Sequence, residues 1–433
     1  MNREMVNSGI PWIGDIPKDW DIDTIGNLYT LRNEKVSDKD YPPLSVSKMG
    51  VVPQLETAAK TDDGDNRKLV KVGDFAINSR SDRRGSCGIS AYDGSVSLIN
   101  TVITPREQMN PRFYSWLFHS ELFADEFYKW GHGIVDDLWT TRWQEMKRIS
   151  IVAPSLEEQQ KIASFLDRKC CEIDEMIALQ EKIVEELKAY KQSVISEAVT
   201  KGLNPDVPMK DSGTDWIGEI PEHWKMCRVK DILEAGKDGI KIGPFGSSLT
   251  NKVNGDGECK IYGQWNIVNK DFTAGKNFVS AETYKELDAY KIVAGDILVS
   301  MMGTIGKCAI IPNGLQDGIM DSHVIKIRIN KNIINPEFFE LMYDKDNSTF
   351  IFEQLSRMKK GSIMDGLNSS IIKRLNLLLP PIDEQQEIVS YLLEKRSKIE
   401  SLISIKLSKI DSLKEYKKSI IYEYVTGKKE VIE

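Results

Sequence analysis

Histidine is scarce in this chain, and its cysteines are not paired in any metal-binding spacing. The 433 residues include four histidines and six cysteines (Cys87, Cys170, Cys171, Cys227, Cys259 and Cys308), with no C-x-x-C spacing among them. That leaves no basis for a zinc cluster or a disulfide framework, and free thiols of a reducing cytoplasm are expected. No apolar run approaches the ~20 residues of a membrane span. Residues 1–14 hold no apolar stretch of the kind that marks a secretion signal, so the expected location is cytoplasmic, without membrane contact. A basic domain is missing as well. The net charge is -7, and none of the segments 1–154, 155–202, 203–380 and 381–433 is net positive. A free-standing DNA binder is usually basic. Any nucleic acid would therefore be held by locally focused charge or with the help of partners.

Catalytic signatures are absent too. There is no G-x-x-x-x-G-K-[ST], and Gly303-Thr-Ile-Gly-Lys307 is too short to be one. H-E-x-x-H and G-x-S-x-G do not occur. Neither does an Asn/Asp-Pro-Pro-aromatic tetrapeptide or a glycine-rich loop suited to S-adenosylmethionine. No catalytic residue, metal ligand or bound cofactor is expected. Asn110-Pro111 and Asn335-Pro336 read as helix starts, since proline suits the first helical position.

What is present is repetition. Residues 12–20 read Trp-Ile-Gly-Asp-Ile-Pro-Lys-Asp-Trp, and residues 216–224 read Trp-Ile-Gly-Glu-Ile-Pro-Glu-His-Trp. Pro-Ser-Leu-Glu-Glu-Gln-Gln-Lys-Ile at 154–162 returns as Pro-Pro-Ile-Asp-Glu-Gln-Gln-Glu-Ile at 380–388. The same offset pairs Tyr190-Lys191 with Tyr416-Lys417, and Gly73-Asp74 finds a counterpart in Gly295-Asp296. The chain is two halves in tandem. Each has a variable region followed by a well-matched one.

The variable regions show short apolar runs bounded by Gly, Asp and Asn, such as 75–77, 296–300 and 324–329, which read as strands. The segments 111–129 and 336–343 read as helices. The matched regions read as long helices. In the first, the positions Ile162, Leu166, Lys169, Ile173, Met176, Gln180, Ile183, Leu187, Tyr190 and Val194 follow at steps of four and three, and all but Lys169 and Gln180 are apolar, the pattern of a coiled-coil seam. In the second, Ile388, Leu392, Ile399, Leu402, Leu413, Tyr416 and Ile420 carry the stripe, with Lys406 and Lys409 pushing its register towards Ile405 and Ile410. Ser155 with Glu158, and Asp383 with Gln386, have the spacing of helix caps. About 45 residues at ~1.5 Å rise give a rod of roughly 68 Å. Two duplicated rods are expected to pair antiparallel, with a globular region at each end.

Candidate DNA-contacting residues lie in loops after strands. Arg80, Arg83 and Arg84 suit bidentate contacts to guanine, and a solvated charge run is the plainer alternative. Their counterparts in the second half are Thr304 and Lys307. Ser247 and Ser248, beside Lys241, end a Gly-Pro-Phe-Gly-Ser-Ser run whose backbone N–H groups could hold a phosphate; an ordinary turn explains them equally. Gln264 and Asn266 flank Trp265 and could read adenine, or could be core or turn residues. His132, between two glycines, and Lys360, in Lys-Lys-Gly-Ser, suit phosphate loops.

The residues 210–224, the Pro-Pro-Ile-Asp-Glu-Gln-Gln-Glu-Ile run and the strand at 295–300 together closely resemble the specificity subunits of Type I restriction-modification systems. The resemblance covers essentially the whole chain. It implies an α+β fold with two mixed α/β target-recognition domains, separated by two long helices forming an antiparallel coiled coil, in a pseudo-twofold tandem repeat. The domains would be 1–154 and 203–380 (203–213 a linker), with helical spacers 155–202 and 381–433. It implies a non-catalytic subunit that reads a bipartite, asymmetric double-stranded DNA target. Two methyltransferase subunits would bring S-adenosylmethionine, and two restriction subunits would bring ATP and Mg. Docking would fall on Gln159, Gln160, Ile162, Leu166 and Tyr190, and on Gln385, Gln386, Ile388, Leu392 and Tyr416. In the first half an Arg-rich loop replaces the Gly-Thr-x-Gly pattern of the second. A coiled-coil scaffold without base readout, or a single-chain nuclease or methyltransferase, are the competing readings.

Overall fold

The computed structural model describes residues 3–432 apart from 56–62, 108, 134–138, 215, 237–238, 250–252, 255–257 and 359–366. The chain divides into two compact units: residues 1–181 with 407–433, and residues 182–406.

The first unit is organised by Phe75–Asn78, an inner strand of an antiparallel sheet ordered Cys87–Ile89, Phe75–Asn78, Asn100–Pro105, Tyr29–Leu31. The first three residues of this strand are apolar and buried because both its faces are covered. Phe75 and Ile77 enter a large aromatic core with Tyr29, Phe113 and Phe118, and Ala76 enters a smaller one with Leu44, Val70 and Val102. The preceding Gly73-Asp74 pair has a physical reason. Gly73 takes a left-handed φ of 88°, which favours glycine. Asp74 is buried, accepts from the Lys71 N–H at 2.8 Å and ion-pairs with Arg32 at 2.5 Å. Helices Pro111–His119 and Glu121–Lys129 close the core, their first turns capped by Asn110 and Ser120.

The second unit repeats the scheme. Its sheet runs Ile240–Ile242, Val324–Ile327, Ile297–Ser300, Cys308–Ile310. Ile297 and Val299 face the large core, and Leu298 a smaller one around Tyr262 and Met320. Gly295 has φ 89°, and Asp296 accepts from the Val293 N–H and pairs with Arg328 at 2.6 Å. A further sheet is added here, in which Cys259–Tyr262 runs parallel to Gly318–Met320.

The two matched regions are single helices, Leu156–Lys201 and Ile382–Val425. Each gives way to a glycine at positive φ, Gly202 at 77° and Gly427 at 71°, the usual left-handed helix stop. Within the first unit Phe165 stacks on Tyr424 at 4.4 Å and Asp174 meets Lys417 at 2.6 Å, so the helices run antiparallel. Within the second unit Lys191 meets Glu400 at 3.4 Å, while Gly202 approaches Glu384, again antiparallel. The buried stripe departs from the expected seam. Cys170, Ile173, Gln180 and Val184 are buried, whereas Met176 and Tyr190 are exposed. A shift of one residue from Lys169 moves the charged position out and Cys170 and Val184 in. On the second helix Ile388, Leu392, Ile399, Ile410 and Ile420 are buried, while Leu402, Ile405 and Tyr416 are exposed. The register therefore shifts to Ile410 but leaves Ile405 outside.

The duplicated motifs meet at the helix starts. The indole N–H of Trp20 donates to Glu158 at 2.8 Å, and that of Trp224 donates to Glu384 at 3.1 Å. Gln159 accepts from the Asn110 backbone N–H and donates to the Pro154 carbonyl; Gln385 accepts from the Asn335 N–H and donates to the Pro380 carbonyl. The side chains of Gln160 and Gln386 accept from the Asn110 and Asn335 amides. The Glu-Gln-Gln motif thus ties each long helix to the head helix of its own unit. The capping boxes expected at Ser155–Glu158 and Asp383–Gln386 are replaced accordingly. Ser155 does accept from the Glu158 N–H, but the Glu158 carboxylate goes to Trp20 and Arg3, and the second helix already starts at Ile382.

Gln385→Ala should cost about 2–4 kcal/mol, because it strands a buried backbone N–H and removes donors to the Pro380 and Ile333 carbonyls. Gln386→Ala, whose one bond lies at the surface, should cost less than about 1 kcal/mol. Urea unfolding followed by tryptophan fluorescence reads the difference; equal costs would contradict the clasp.

Candidate nucleic-acid interface

In the second unit four loops converge at one end of the main sheet. The Gly243 N–H donates to the Val324 carbonyl at 2.8 Å, and Gly243 packs so closely on the Asp321 backbone that no side chain would fit there. The Asp321 N–H donates to Tyr262, one residue before the turn into helix Gln264–Asn269. The Met301 N–H donates to His323, and the Met302 N–H donates to the side chain of Gln264 at 3.0 Å. These contacts gather the loops at 243–249, 263–265, 301–306 and 321–323. Apolar side chains stand out from this cluster: Phe245 is 85% exposed, Trp265 56% and Met302 47%. A cavity of about 410 Å³ opens beside Trp265, lined by Gln264, Ala274, Gly275, Asn277 and Asp321 among others. Exposed aromatics beside polar groups suit stacking and hydrogen bonding to nucleic acid better than they suit a solvated loop.

The expected residues of this half divide. Gln264 and Thr304 belong to the cluster, linked through Ser300, whose hydroxyl meets both. Asn266 does not read anything. It is buried, its oxygen accepts from the Gly263 N–H, and its nitrogen donates to the Asp271 and Ala274 carbonyls. All its hydrogen-bonding capacity is spent on the turn it shapes, which corrects the adenine reading. Lys307 is nearly buried against Asp346, and burial pushes its pKa down, so it is not an open phosphate ligand. Lys241 lies over the Tyr290 ring at 5.3 Å. The Ser248 N–H donates to Phe245 within helix Gly246–Leu249, which also holds Ser247, so it serves the turn. Lys360 lies outside the described residues.

In the first unit two separately predicted loops come together. Arg80 and His132 both bridge to Thr140, and the Ser81 N–H donates to Trp139, a half-exposed aromatic. The three arginines are already engaged. Arg80 pairs with Asp82 at 3.0 Å, Arg83 lies 3.7 Å from the same carboxylate, and Arg84 pairs with Asp125. Such exposed pairs are weak and exchange readily. They set the guanidinium positions without removing them from solvent. Phe245, Met302 and Trp139 went unnoticed in the sequence. Burial decides their standing, and the only local sign was an apolar residue inside a Gly- or Thr-rich loop.

Of the docking residues, Gln159, Ile162, Leu166, Gln385, Ile388 and Leu392 are buried within their own units. Gln159 and Gln385 are corrected from surface to core because they serve the clasp, whereas Ile162, Leu166, Ile388 and Leu392 are buried as the apolar stripe predicts and so are not open for docking. Gln160, Tyr190, Gln386 and Tyr416 remain exposed.

A family model described as the Type I restriction modification DNA specificity domain matches residues 221–415. The putative type I restriction enzyme MjaX specificity subunit of Methanocaldococcus jannaschii is 23% identical over 88% of this chain and 87% of its own length. The MjaVIII specificity subunit of the same organism is 25% identical over 87% and 86%. Over most of its length the chain is thus similar to Type I specificity subunits, and the family model falls on its second half. The solved structures agree in fold. A chain from a type I R-M system, studied for its assembly and conformational transition, superposes with a TM-score of 0.69 at 15% identity, covering 95% of this chain and 98% of that one. The HsdS subunit from Thermoanaerobacter tengcongensis gives 0.54 at 16%, with the same coverage. Among the described residues no group of His, Cys, Asp and Glu is placed to hold a metal, and no helix is long and apolar enough to cross a membrane.

The two neighbours Gln264 and Asn266 should separate in a stability measurement. Asn266→Ala is expected to lower unfolding free energy by about 2–3 kcal/mol, since it unmakes three internal hydrogen bonds. Gln264→Ala, at the surface of the cluster, is expected to cost about 1 kcal/mol or less. Chemical denaturation of both variants checks this.

Proposed function

We propose that this chain is the specificity subunit of a Type I restriction-modification complex and reads a split, asymmetric double-stranded DNA target, one half-site per unit. The observation that carries the reading is that each unit builds its own exposed loop cluster on the same sheet framework, with different chemistry. One cluster offers Arg80, Arg83, Arg84, His132 and Trp139; the other offers Phe245, Gln264, Trp265 and Met302. Different side chains in the two loop clusters favour different half-sites. The acidic net charge is consistent with a DNA clamp completed by partners.

The long helices would set the spacing between half-sites and carry two methyltransferase subunits, docked through their exposed faces. Tyr190 and Tyr416 occupy equivalent positions in the repeat and are both about half exposed. They are the natural anchors, since tyrosine is enriched at protein interfaces. S-adenosylmethionine would belong to those subunits. ATP and Mg would belong to two restriction subunits, and the assembly would act in the cytoplasm.

The test is co-expression with the cognate methyltransferase subunit, followed by methylation sequencing of the host DNA and native mass measurement of the complex. A two-part motif with unlike halves, and a ratio of one specificity subunit to two methyltransferase subunits, are expected. A palindromic motif, or a single methyltransferase subunit, contradicts the proposal.

A further inference from the structure

The loop cluster of the second unit holds one side chain whose hydrogen-bonding polarity is determined by its surroundings. Gln264 presents its amide to the β-turn region at 300–304. The backbone N–H of Met302 approaches the amide at 3.0 Å, and the Ser300 hydroxyl approaches it at 2.6 Å. A backbone N–H can only donate, so the atom facing it is the amide oxygen. Ser300 is fully buried, and its hydroxyl also meets Thr304, so the partner that holds the oxygen is itself held. Both lone pairs of the Gln264 oxygen are thereby taken. Its nitrogen carries two N–H groups and has no partner among the described residues. Gln264 lines the cavity beside the exposed Trp265.

We propose that Gln264 is a donor-only base reader, which favours a major-groove edge rich in acceptors, guanine or thymine, over adenine and cytosine. The inference rests on the DNA-reading function proposed above. A free glutamine pairs with adenine by giving a proton to N7 and taking one from the N6 amino group, and therefore needs both its oxygen and its nitrogen. Here the oxygen cannot take part. The exposed NH₂ can donate to guanine O6 and N7, or to thymine O4. Against cytosine N4 it would set donor against donor, and at adenine it could reach only N7 while N6 opposes it, one contact in place of the two that guanine offers. Ser300 and Met302 are positioning residues: they act only by turning the amide.

Two variants test this in the intact complex with its methyltransferase subunit. Gln264→Glu keeps an acceptor oxygen towards Met302 and Ser300 but replaces the exposed NH₂ with an acceptor. Gln264→Ala removes the reader. Motifs are read by methylation sequencing and by selection from random DNA, with assembly checked by mass and thermal melting. The parent complex should require guanine or thymine at one position of one half-site. The Glu variant should lose that preference by on the order of tenfold or more and turn towards adenine or cytosine there. The Ala variant should accept any base at that position, and the other half-site should not change. Where the Glu variant fails to assemble, the Ala variant decides. The inference is overturned if both variants keep the parent motif with affinities within about twofold, or if the altered position originally required adenine or cytosine. A parent complex that selects no sequence at all would instead remove the DNA-reading function itself.

Discussion

The hydrogen bond from a tryptophan indole to a glutamate at the start of a long helix is the contact on which the architecture turns. Trp20 reaches Glu158, and Trp224 reaches Glu384. Each tryptophan also lies against the glycine that ends a long helix: Gly427 for Trp20 and Gly202 for Trp224. One side chain thus joins a helix beginning to a helix end. A buried indole N–H must be satisfied, and a carboxylate in the first helical turn is favoured by the helix dipole. Both needs are met in a single bond. The neighbouring glutamines extend it to the Asn-Pro helix start of the head, so head and helix are positioned together.

Inside each head the governing constraint is a strand buried on both faces. Phe75–Asn78 and Ile297–Ser300 each separate a large core from a small one. A strand so enclosed tolerates little change, while the loops at its end face solvent and can carry unlike chemistry. The Gly-Asp pair before each strand belongs to the fixed part, with the aspartate holding Arg32 or Arg328. The arginines after the first strand, and Met302 and Thr304 after the second, belong to the free part.

The duplication, the long helices and the proline-led head helices were all legible in the residues, because each is written in local spacing. The seam was misread by one position, since two faces of these helices carry apolar residues and only burial separates Val184 from Ile183. The Glu-Gln-Gln motif was legible as a repeat but misread as surface. Its partners, Asn110 and Asn335, lie about 50 residues upstream, beyond the reach of any periodicity. Gln264 and Asn266 look alike in sequence, and hydrogen bonds to non-adjacent loops make one a free donor and the other a turn brace.

The discontinuity of the first unit has a consequence for how the chain is born. Ile420, Ile421 and Val425 belong to the same core as Trp12, Ile13 and Trp20, and Lys428 caps the Ile13 carbonyl. Trp12, Ile13 and Trp20 leave the ribosome well before Ile420, Ile421 and Val425. The whole of the second unit, 182–406, emerges in between. The earliest segment must therefore wait, with its core incompletely covered, while a later one is free to fold. Translation that stops shortly before residue 407 would leave the second unit with its full sequence and the first unit permanently open.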